Sequence, residues 1–473
     1  MRLFVTPHVF NAAITVPPSK SHTIRRLFMA ALTDGVSHIE GPLYSLDTQS
    51  CAGVCRVFGA EITEERDSLG NFTGWTVHGK KPGAGVNSKT AKKSKITEDS
   101  TTADFSRTAD AGNSGTTLFF AIAAAALFSR PFTFTGDRQT ERRSAGPLLD
   151  ALAALGAKVT SKNGCVPITV RGPWKGGAAA LPCVTSQYLS AMLIAAPLAP
   201  KGTITEIDVP LLNEKPYVEM TLSYLKSQLL YGDSGNFKIS GSGDFSHFKI
   251  RGGCVYNPVN GPVPGDFSSA SYPAAAAVLS GGKAVLQGLN PGDTQGDRIF
   301  FDHLKQMGCN VNWEQQNGNW QVTVFRDGAL KGGVFDLNAA PDLLPIMAVL
   351  GAFAAGETEL VNAAHARIKE TDRIAVMAGE LTKLLAGCDN FYCEEKPGGL
   401  FIRGIGGSAR NAGARKKNRP GISLDGHGDH RVVLALACAV MGMSAETGPV
   451  AIIGAEAADV SYPGFLELLR NTY

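Results

Sequence analysis

Charged side chains are scarce in this chain of 473 residues. Asp, Glu, Lys and Arg make up 18% of the sequence, against a usual share of about 25%, and the formal net charge is only +3. A chain that is poor in charge and 44% hydrophobic is folded rather than disordered. It also lacks the overall positive field that would attract nucleic acid. The length is sufficient for two or three domains.

Long apolar runs and cysteine motifs are missing as well. The longest apolar runs, such as residues 118–128, fall short of the roughly 18 residues that a membrane span needs, and the N-terminus does not resemble a signal peptide. The nine cysteines are an odd number without a Cys-x-x-Cys spacing, so free thiols in a reducing compartment are expected and a zinc site is not. We therefore predict a soluble, cytoplasmic protein without a metal site.

What the sequence does contain is one pattern in six copies. A polar loop leads into an Ala- and Leu-rich helix, which is followed by a Gly and a β-branched strand. The copies begin at Ser19, Asn113, Ser186, Asp266, Pro341 and Asp429. Because this spacing is longer than that of solenoid repeats, each unit is expected to contain further strands and a second helix.

The six helices are apolar on nearly every side, which predicts that they are buried on every side. An arrangement with the helices inside and the strands outside is the reverse of that in most α/β folds. Each predicted helix has Ser, Thr, Asn or Asp near its first turn, as an N-cap requires. Since helix N-termini attract anions, several buried helices that point to one place would form an anion-binding site there.

Cations, carboxylates and hydroxyls gather at these helix starts. A helix predicted for the segment ARIKETDRIAVM would place Lys369 and Arg373 on one face, at i and i+4. Such a set suits two anionic substrates with a general acid and a general base beside them. Each signal alone also has a structural interpretation: KETDR could be a solvated helix face, and His430 could be a structural histidine. Three polar stretches, residues 81–108, 231–245 and 403–421, are predicted surface loops.

Eight motifs extend this pattern over nearly the whole chain. They are PPSKSHTIRR (17–26), GNSGTT (112–117), TSQYLSAMLIAAP (185–197), KPYVEMTL (215–222), GDFSSASYPAAAA (265–277), PDLLPIMAVLGAFAAG (341–356), RIKETDR (367–373) and GDHR (428–431). In type and order they resemble the 5-enolpyruvylshikimate-3-phosphate synthase family. The resemblance implies an α/β fold of two inside-out domains, each of three βαβαββ-like repeats with buried helices. Residues 1–18 with 265–473 would form one domain and residues 19–264 the other, with the active site in the cleft between them.

The resemblance also implies a reaction and a set of site residues. The family transfers the enolpyruvyl group of phosphoenolpyruvate to the 5-hydroxyl of shikimate 3-phosphate, without a metal or an organic cofactor. Asp342 would take the hydroxyl proton, Glu370 would exchange a proton with the methylene carbon, and Lys20 would contact phosphoenolpyruvate. The implied substrate-binding residues are Ser21, Arg25, Gly115, Thr185, Ser186, Gln187, Tyr217, Lys369, Arg373 and Arg431. We expect a monomer that binds these small molecules, with neither nucleic acid nor a membrane as partner.

Five positions depart from the family pattern. Gln139 and Val460 stand where the family has cations for phosphoenolpyruvate, and Glu214 replaces a Ser that binds the acceptor phosphate. Phe119 replaces an Arg, and His365 replaces an Asn. The neighbouring Arg138 or Arg142 could supply a missing cation. The alternative is therefore a paralogue of the same fold that acts on a different acceptor, or a non-catalytic binding protein.

Overall fold

The computed structural model describes residues 1–82, 107–230, 239–388, 390–406 and 421–471. The three predicted surface loops therefore lie for most of their length outside the described residues.

The described strands are short, as expected for small sheets on the outside of a repeat protein. They are β1 (Arg2–Val5), β2 (Ala12–Thr15), β3 (Val36–Glu40), β4 (Glu61–Arg66), β5 (Phe72–His78), β6 (Arg107–Asp110), β7 (Phe132–Thr135), β8 (Lys158–Lys162), β9 (Cys165–Arg171), β10 (Gly177–Ala180), β11 (Ile204–Asp208), β12 (Leu229–Leu230), β13 (Ile239–Gly241), β14 (His247–Arg251), β15 (Val255–Tyr256), β16 (Gly261–Pro262), β17 (Lys283–Gln287), β18 (Asn310–Gln316), β19 (Asn319–Phe325), β20 (Val334–Asp336), β21 (Glu357–Val361), β22 (Tyr392–Lys396), β23 (Gly399–Arg403), β24 (Ser423–Asp425) and β25 (Val450–Ile453).

The helices come in pairs, two for each predicted copy of the pattern. They are α1 (Lys20–Ala31), α2 (Leu46–Phe58), α3 (Gly115–Ala125), α4 (Gly146–Ala154), α5 (Ser186–Ala195), α6 (Lys215–Gln228), α7 (Phe267–Ser280), α8 (Ile299–Gln306), α9 (Leu344–Phe353), α10 (Arg373–Leu384), α11 (His430–Met441) and α12 (Phe465–Asn471).

One strand arrangement recurs in five four-stranded sheets. Their orders are β16-β3-β5-β4, β6-β7-β9-β8, β10-β11-β14-β13, β2-β17-β19-β18 and β20-β21-β23-β22. In each sheet the first pair is parallel and the next two pairs are antiparallel. A sixth sheet, β24-β25-β1, has the same parallel and antiparallel pairs with one strand fewer. The six copies predicted from the sequence are thus six units of one architecture.

The helices that open the units form the core. Every residue of α7, α9 and α11 is buried, because beyond their polar first turns small and apolar residues occupy nearly every side of these helices. The strands alternate between buried and exposed residues, as in Val36–Glu40 and Glu357–Val361, so one face of each sheet covers the helices and the other faces solvent. The predicted inside-out α/β arrangement is confirmed.

The buried apolar residues separate into two cores. One contains side chains from residues 5–16 and 267–469, and the other contains side chains from residues 24–263. The two segments predicted to cross between domains lie side by side, with Ser19 N–H donating to the Pro264 carbonyl (2.8 Å) and Asp266 N–H donating to the Pro17 carbonyl (2.8 Å). The domain boundaries after residues 18 and 264 stay a prediction.

Side-chain caps start several of the buried helices, as the sequence predicts. Ser114, Thr185, Asp266 and Asp429 each accept a hydrogen bond from a backbone N–H of the first turn. The prediction for the KETDR segment was wrong in one respect. Asp372 caps α10, which begins only at Arg373, so Lys369 lies before the helix and shares no helical face with Arg373.

Candidate active site

The starts of α1, α3 and α5 face the segments before α9, α10 and α11 across one cavity of about 250 Å³. Twelve of the thirteen site residues expected from the sequence line it: Lys20, Ser21, Arg25, Gly115, Thr185, Ser186, Gln187, Tyr217, Asp342, Lys369, Glu370 and Arg431. They come from residues 20–217 and from residues 342–431, so both halves of the chain are needed to build the cavity. Arg373 is the exception, because its side chain is fully buried behind the wall.

Arg373 holds three carboxylates together. Its guanidinium donates to Asp342 (2.7 Å), Glu370 (2.6 Å) and Asp429 (2.8 Å). Burial by itself would lower the pKa of Arg373, but these three negative charges raise it above its ordinary value. Its expected role in substrate binding stays a prediction, and its observed bonds support Asp342 and Glu370.

The two predicted proton-transfer groups are carboxylates surrounded by cations. Arg431 lies 2.8 Å from Asp342 and Arg143 lies 2.8 Å from Glu370. Burial favours the neutral acid at both positions, but the neighbouring guanidinium charges outweigh it and hold the pKa of Asp342 and the pKa of Glu370 below their ordinary values. With these cations beside them both groups are therefore ionised.

The N-terminal side of the cavity carries Lys20 and Arg25. Lys20 donates to Asp47 (2.9 Å) and its side chain is 18% exposed, so it can reach a ligand. Arg25 is almost fully buried and donates to the Thr221 hydroxyl (2.9 Å) and the Tyr217 carbonyl (3.0 Å). Burial lowers the pKa of Arg25 to about 10, so the guanidinium is still charged at neutral pH.

Arg143 is a site residue that the sequence reasoning missed. It lines the cavity, binds Glu370, and passes so close to Gly115 that a Cβ at that glycine would lie 2.6 Å from Nη1. Arg143 directly follows Arg142, and no motif distinguishes the two arginines, so Arg143 could not be predicted as a site residue. His430, treated as structural, also lines the cavity, with Nε2 3.8 Å from Glu370 and Nδ1 2.5 Å from the Ser461 hydroxyl.

The departures from the family pattern fall into two groups. Phe119, Glu214 and His365 line the cavity, whereas Gln139 and Val460 are not among its lining residues. Gln139 instead accepts from the Asn113 amide and donates to the Gly428 carbonyl (2.9 Å), which ties the loop after β7 to the GDHR segment. Of the two arginines proposed as substitutes, Arg142 reaches the cavity and Arg138 does not.

Glu370, Asp429 and His430 offer ligand atoms within 4.8 Å of one another, which is close enough for a metal ion. Arg373 donates to both of these carboxylates, so a guanidinium already neutralises the cluster. A divalent cation would meet that positive charge at close range, and the residues present do not fit a metal site.

Comparison with known families decides the relationship. The sequence profile of the EPSP synthase (3-phosphoshikimate 1-carboxyvinyltransferase) family matches residues 6–469. The chain belongs to the EPSP synthase family. Two relatives that carry the name 3-phosphoshikimate 1-carboxyvinyltransferase support this membership. The one from Acetivibrio thermocellus is 42% identical over 100% of this chain and 98% of its own length. The one from Halobacterium salinarum is 37% identical over 100% of this chain and 98% of its own length.

A solved structure extends the likeness to the EPSP synthase fold. The EPSP synthase from Acinetobacter baumannii superposes with a TM-score of 0.70 at 25% identity, over 100% of this chain and 98% of that one. In the described part of the chain, no helix is both long enough and apolar enough to cross a membrane.

Proposed function

We propose that this chain transfers the enolpyruvyl group of phosphoenolpyruvate to the 5-hydroxyl of shikimate 3-phosphate and releases phosphate, the reaction of its family in the shikimate pathway. The single observation that carries the proposal is the pair of half-buried carboxylates, Asp342 and Glu370, held by the buried Arg373 and faced by Arg431 and Arg143. An enolpyruvyl transfer by addition and elimination needs one group that accepts a hydroxyl proton and one that exchanges a proton with carbon.

Asp342 suits the first task. Its low pKa keeps it ionised, and it lines the cavity, so it can accept the proton as the acceptor oxygen attacks C2 of phosphoenolpyruvate. Arg431 and Lys369 lie 2.8 Å and 3.9 Å from it and would bind the anionic groups of the substrates. Guanidinium groups bind carboxylate in a planar, bidentate geometry.

Glu370 must carry a proton when the methylene carbon becomes a methyl group, and it must take one back when phosphate leaves. Arg143 and Arg373 by themselves hold it ionised. Phosphoenolpyruvate brings its own negative charge to these cations, which weakens their hold on Glu370 and raises its pKa. Substrate binding itself would thus prepare Glu370 to donate, with no metal or organic cofactor required.

The alternatives considered for the departures receive no support from the comparisons, whose named relatives are 3-phosphoshikimate 1-carboxyvinyltransferases. Retention of both carboxylates and of Lys20, Lys369 and Arg431 at one cavity favours an enzyme over a binding protein. The monomeric state and the cytoplasmic location stay predictions.

Phosphate release from the purified protein tests the proposal directly. Release is measured with shikimate 3-phosphate and phosphoenolpyruvate together, and again with each omitted. Release that needs both substrates is the expected result. Release from phosphoenolpyruvate alone, or none from a folded protein, would contradict the proposal.

Arg143 is expected to supply the cation that the family has at the position of Gln139. Arg143→Gln should raise the KM for phosphoenolpyruvate by about one to two orders of magnitude, because a charge-assisted contact is worth roughly 1.5–3 kcal/mol. Steady-state kinetics at saturating acceptor measure it. Arg138→Gln is the matched control, since Arg138 is exposed and lies outside the cavity. Equal effects of the two variants would contradict the assignment.

Val460 ends a 3₁₀ turn (Ala455–Val460) directly before Ser461, which hydrogen-bonds His430 at the cavity. A lysine at this position has a side chain long enough to reach past Ser461. Val460→Lys should therefore lower the KM for phosphoenolpyruvate several-fold and leave the KM for the acceptor unchanged. An unchanged KM for phosphoenolpyruvate would mean that residue 460 does not face that substrate.

A further inference from the structure

Glu214 occupies an anion-binding site inside the cavity. Its Oε2 atom accepts from the Thr185 hydroxyl (2.9 Å), the Ser186 N–H (3.0 Å) and the Ser186 hydroxyl (2.9 Å). Its Oε1 atom accepts from Lys369. Two hydroxyls, the N-terminus of a buried ten-residue helix and an ammonium group form a set of donors that suits a phosphate group.

Because these donors already bind Glu214, they have little hydrogen-bonding capacity left for a second anion. Glu214 is only 3% exposed. Burial by itself would raise the pKa of Glu214, but the positive charge of Lys369 and its hydrogen bond outweigh burial, so the pKa lies below its ordinary value. The carboxylate is therefore ionised, and a second anion at these donors would meet its full charge.

The backbone supports this placement. Glu214 has φ +57°, in the left-handed region that residues other than glycine seldom adopt. Its N–H donates to the Asn338 carbonyl (3.2 Å) and its carbonyl accepts from the Tyr217 N–H (3.1 Å). A conformation of this kind persists where the surroundings hold it, and here it directs the side chain to the start of α5.

A second residue at this wall has unused hydrogen-bonding capacity. His365 lines the cavity next to Glu214, is 5% exposed, and its Nε2 atom has no hydrogen-bond partner among the described residues. A neutral imidazole can donate to or accept from a hydroxyl. The acceptor wall thus combines an occupied anion site with an unpaired polar atom.

We propose that Glu214 determines acceptor specificity. Its carboxylate fills the place of the acceptor phosphate, so the protein loses most of its preference for shikimate 3-phosphate over shikimate. The proposal rests on the proposed function, with the acceptor phosphate near Glu214, which stands where the family has a Ser that binds this phosphate. Shikimate 3-phosphate must displace or repel the carboxylate, whereas shikimate can offer a hydroxyl to Glu214 and His365.

The test compares the two acceptors directly. Calorimetry without phosphoenolpyruvate gives the Kd of shikimate 3-phosphate and of shikimate, and phosphate release gives kcat/KM for each. The wild-type protein should bind the two within about tenfold of each other. Glu214→Ser should raise the preference for the phosphorylated acceptor by at least about 100-fold, because it removes one charge within a few ångströms of the phosphate and frees the donors.

Two further variants separate charge from folding. Glu214→Gln keeps the size and most hydrogen bonds and should raise the preference by a smaller factor, on the order of tenfold. Glu219→Ser makes the same exchange on an exposed residue of α6 outside the cavity and should leave the wild-type preference unchanged.

Two results would overturn the proposal. One is a wild-type preference for shikimate 3-phosphate above about 1,000-fold. The other is an unchanged preference in Glu214→Ser and Glu214→Gln, which includes an equal loss of affinity for both acceptors. Failure of the proposed function would be visible separately, as the absence of phosphate release by the wild-type protein with either acceptor.

Discussion

Glu370→Gln will lower the rate of phosphate release by a factor of about 10² to 10⁴, the usual contribution of a positioned proton-transfer group. The amide has the shape of the carboxylate but cannot deliver a proton to the methylene carbon or remove one from it. Arg373 keeps its bonds to Asp342 and Asp429 in the variant, so we expect the fold to persist.

The measurement is kcat at saturating concentrations of both substrates, with circular dichroism as the check on folding. Glu395→Gln is the matched control, because Glu395 also pairs with an arginine, Arg367, but is 46% exposed and lies outside the cavity. It should retain the wild-type rate. A Glu370→Gln protein with the wild-type rate would remove Glu370 from the chemistry.

Among the substitutions proposed here, Arg373→Met is expected to lower the free energy of unfolding the most. The methionine removes the shared partner of Asp342, Glu370 and Asp429 while it retains much of the volume, and a buried ion pair broken on one side costs about 3–5 kcal/mol. For a domain of some 200 residues each kcal/mol lowers the melting temperature by roughly 2–4 °C. We expect a decrease of roughly 6–20 °C at pH 7.

A surface arginine serves as the control for this variant. Arg367→Met removes an arginine that is 27% exposed and pairs with Asp372 and Glu395. Exposed ion pairs contribute about 0–1 kcal/mol, so its melting temperature should change by only a few degrees. Equal decreases in the two variants would contradict the central place of Arg373 in the network.

Acid should reduce the difference between wild type and Arg373→Met. In the wild-type protein the pKa of Asp342 and the pKa of Glu370 are depressed, so their contribution to stability is present above the unfolded values of about 4 and is lost as the pH falls through the folded values. In the variant the same carboxylates lack Arg373 and protonate more readily. The gap in melting temperature should therefore be largest above pH 6 and narrow below pH 4; a constant gap would indicate lost packing instead of lost charge pairing.

The repeats, the buried helices and most of the cavity-lining residues could be predicted from the residues and motifs of the chain. An Ala- and Leu-rich segment such as residues 344–353 is apolar on every face, and a cap such as Asp266 or Asp429 acts on a backbone N–H two or three residues away. Interactions of such short range are legible in the residues themselves. The family motifs then indicated which helix starts carry the chemistry.

The ion pairs of the cavity could be identified only from the three-dimensional fold. Lys369 and Glu214 are 155 positions apart, and Arg143 pairs with Glu370 across the cavity from the other core, so no local pattern links them. The bonds from Arg373 to Asp342 and Asp429 could not be predicted for the same reason, since these two carboxylates come from other segments of the chain. Coulomb energy depends on distance in space and on burial, and neither is set by the order of residues along the chain.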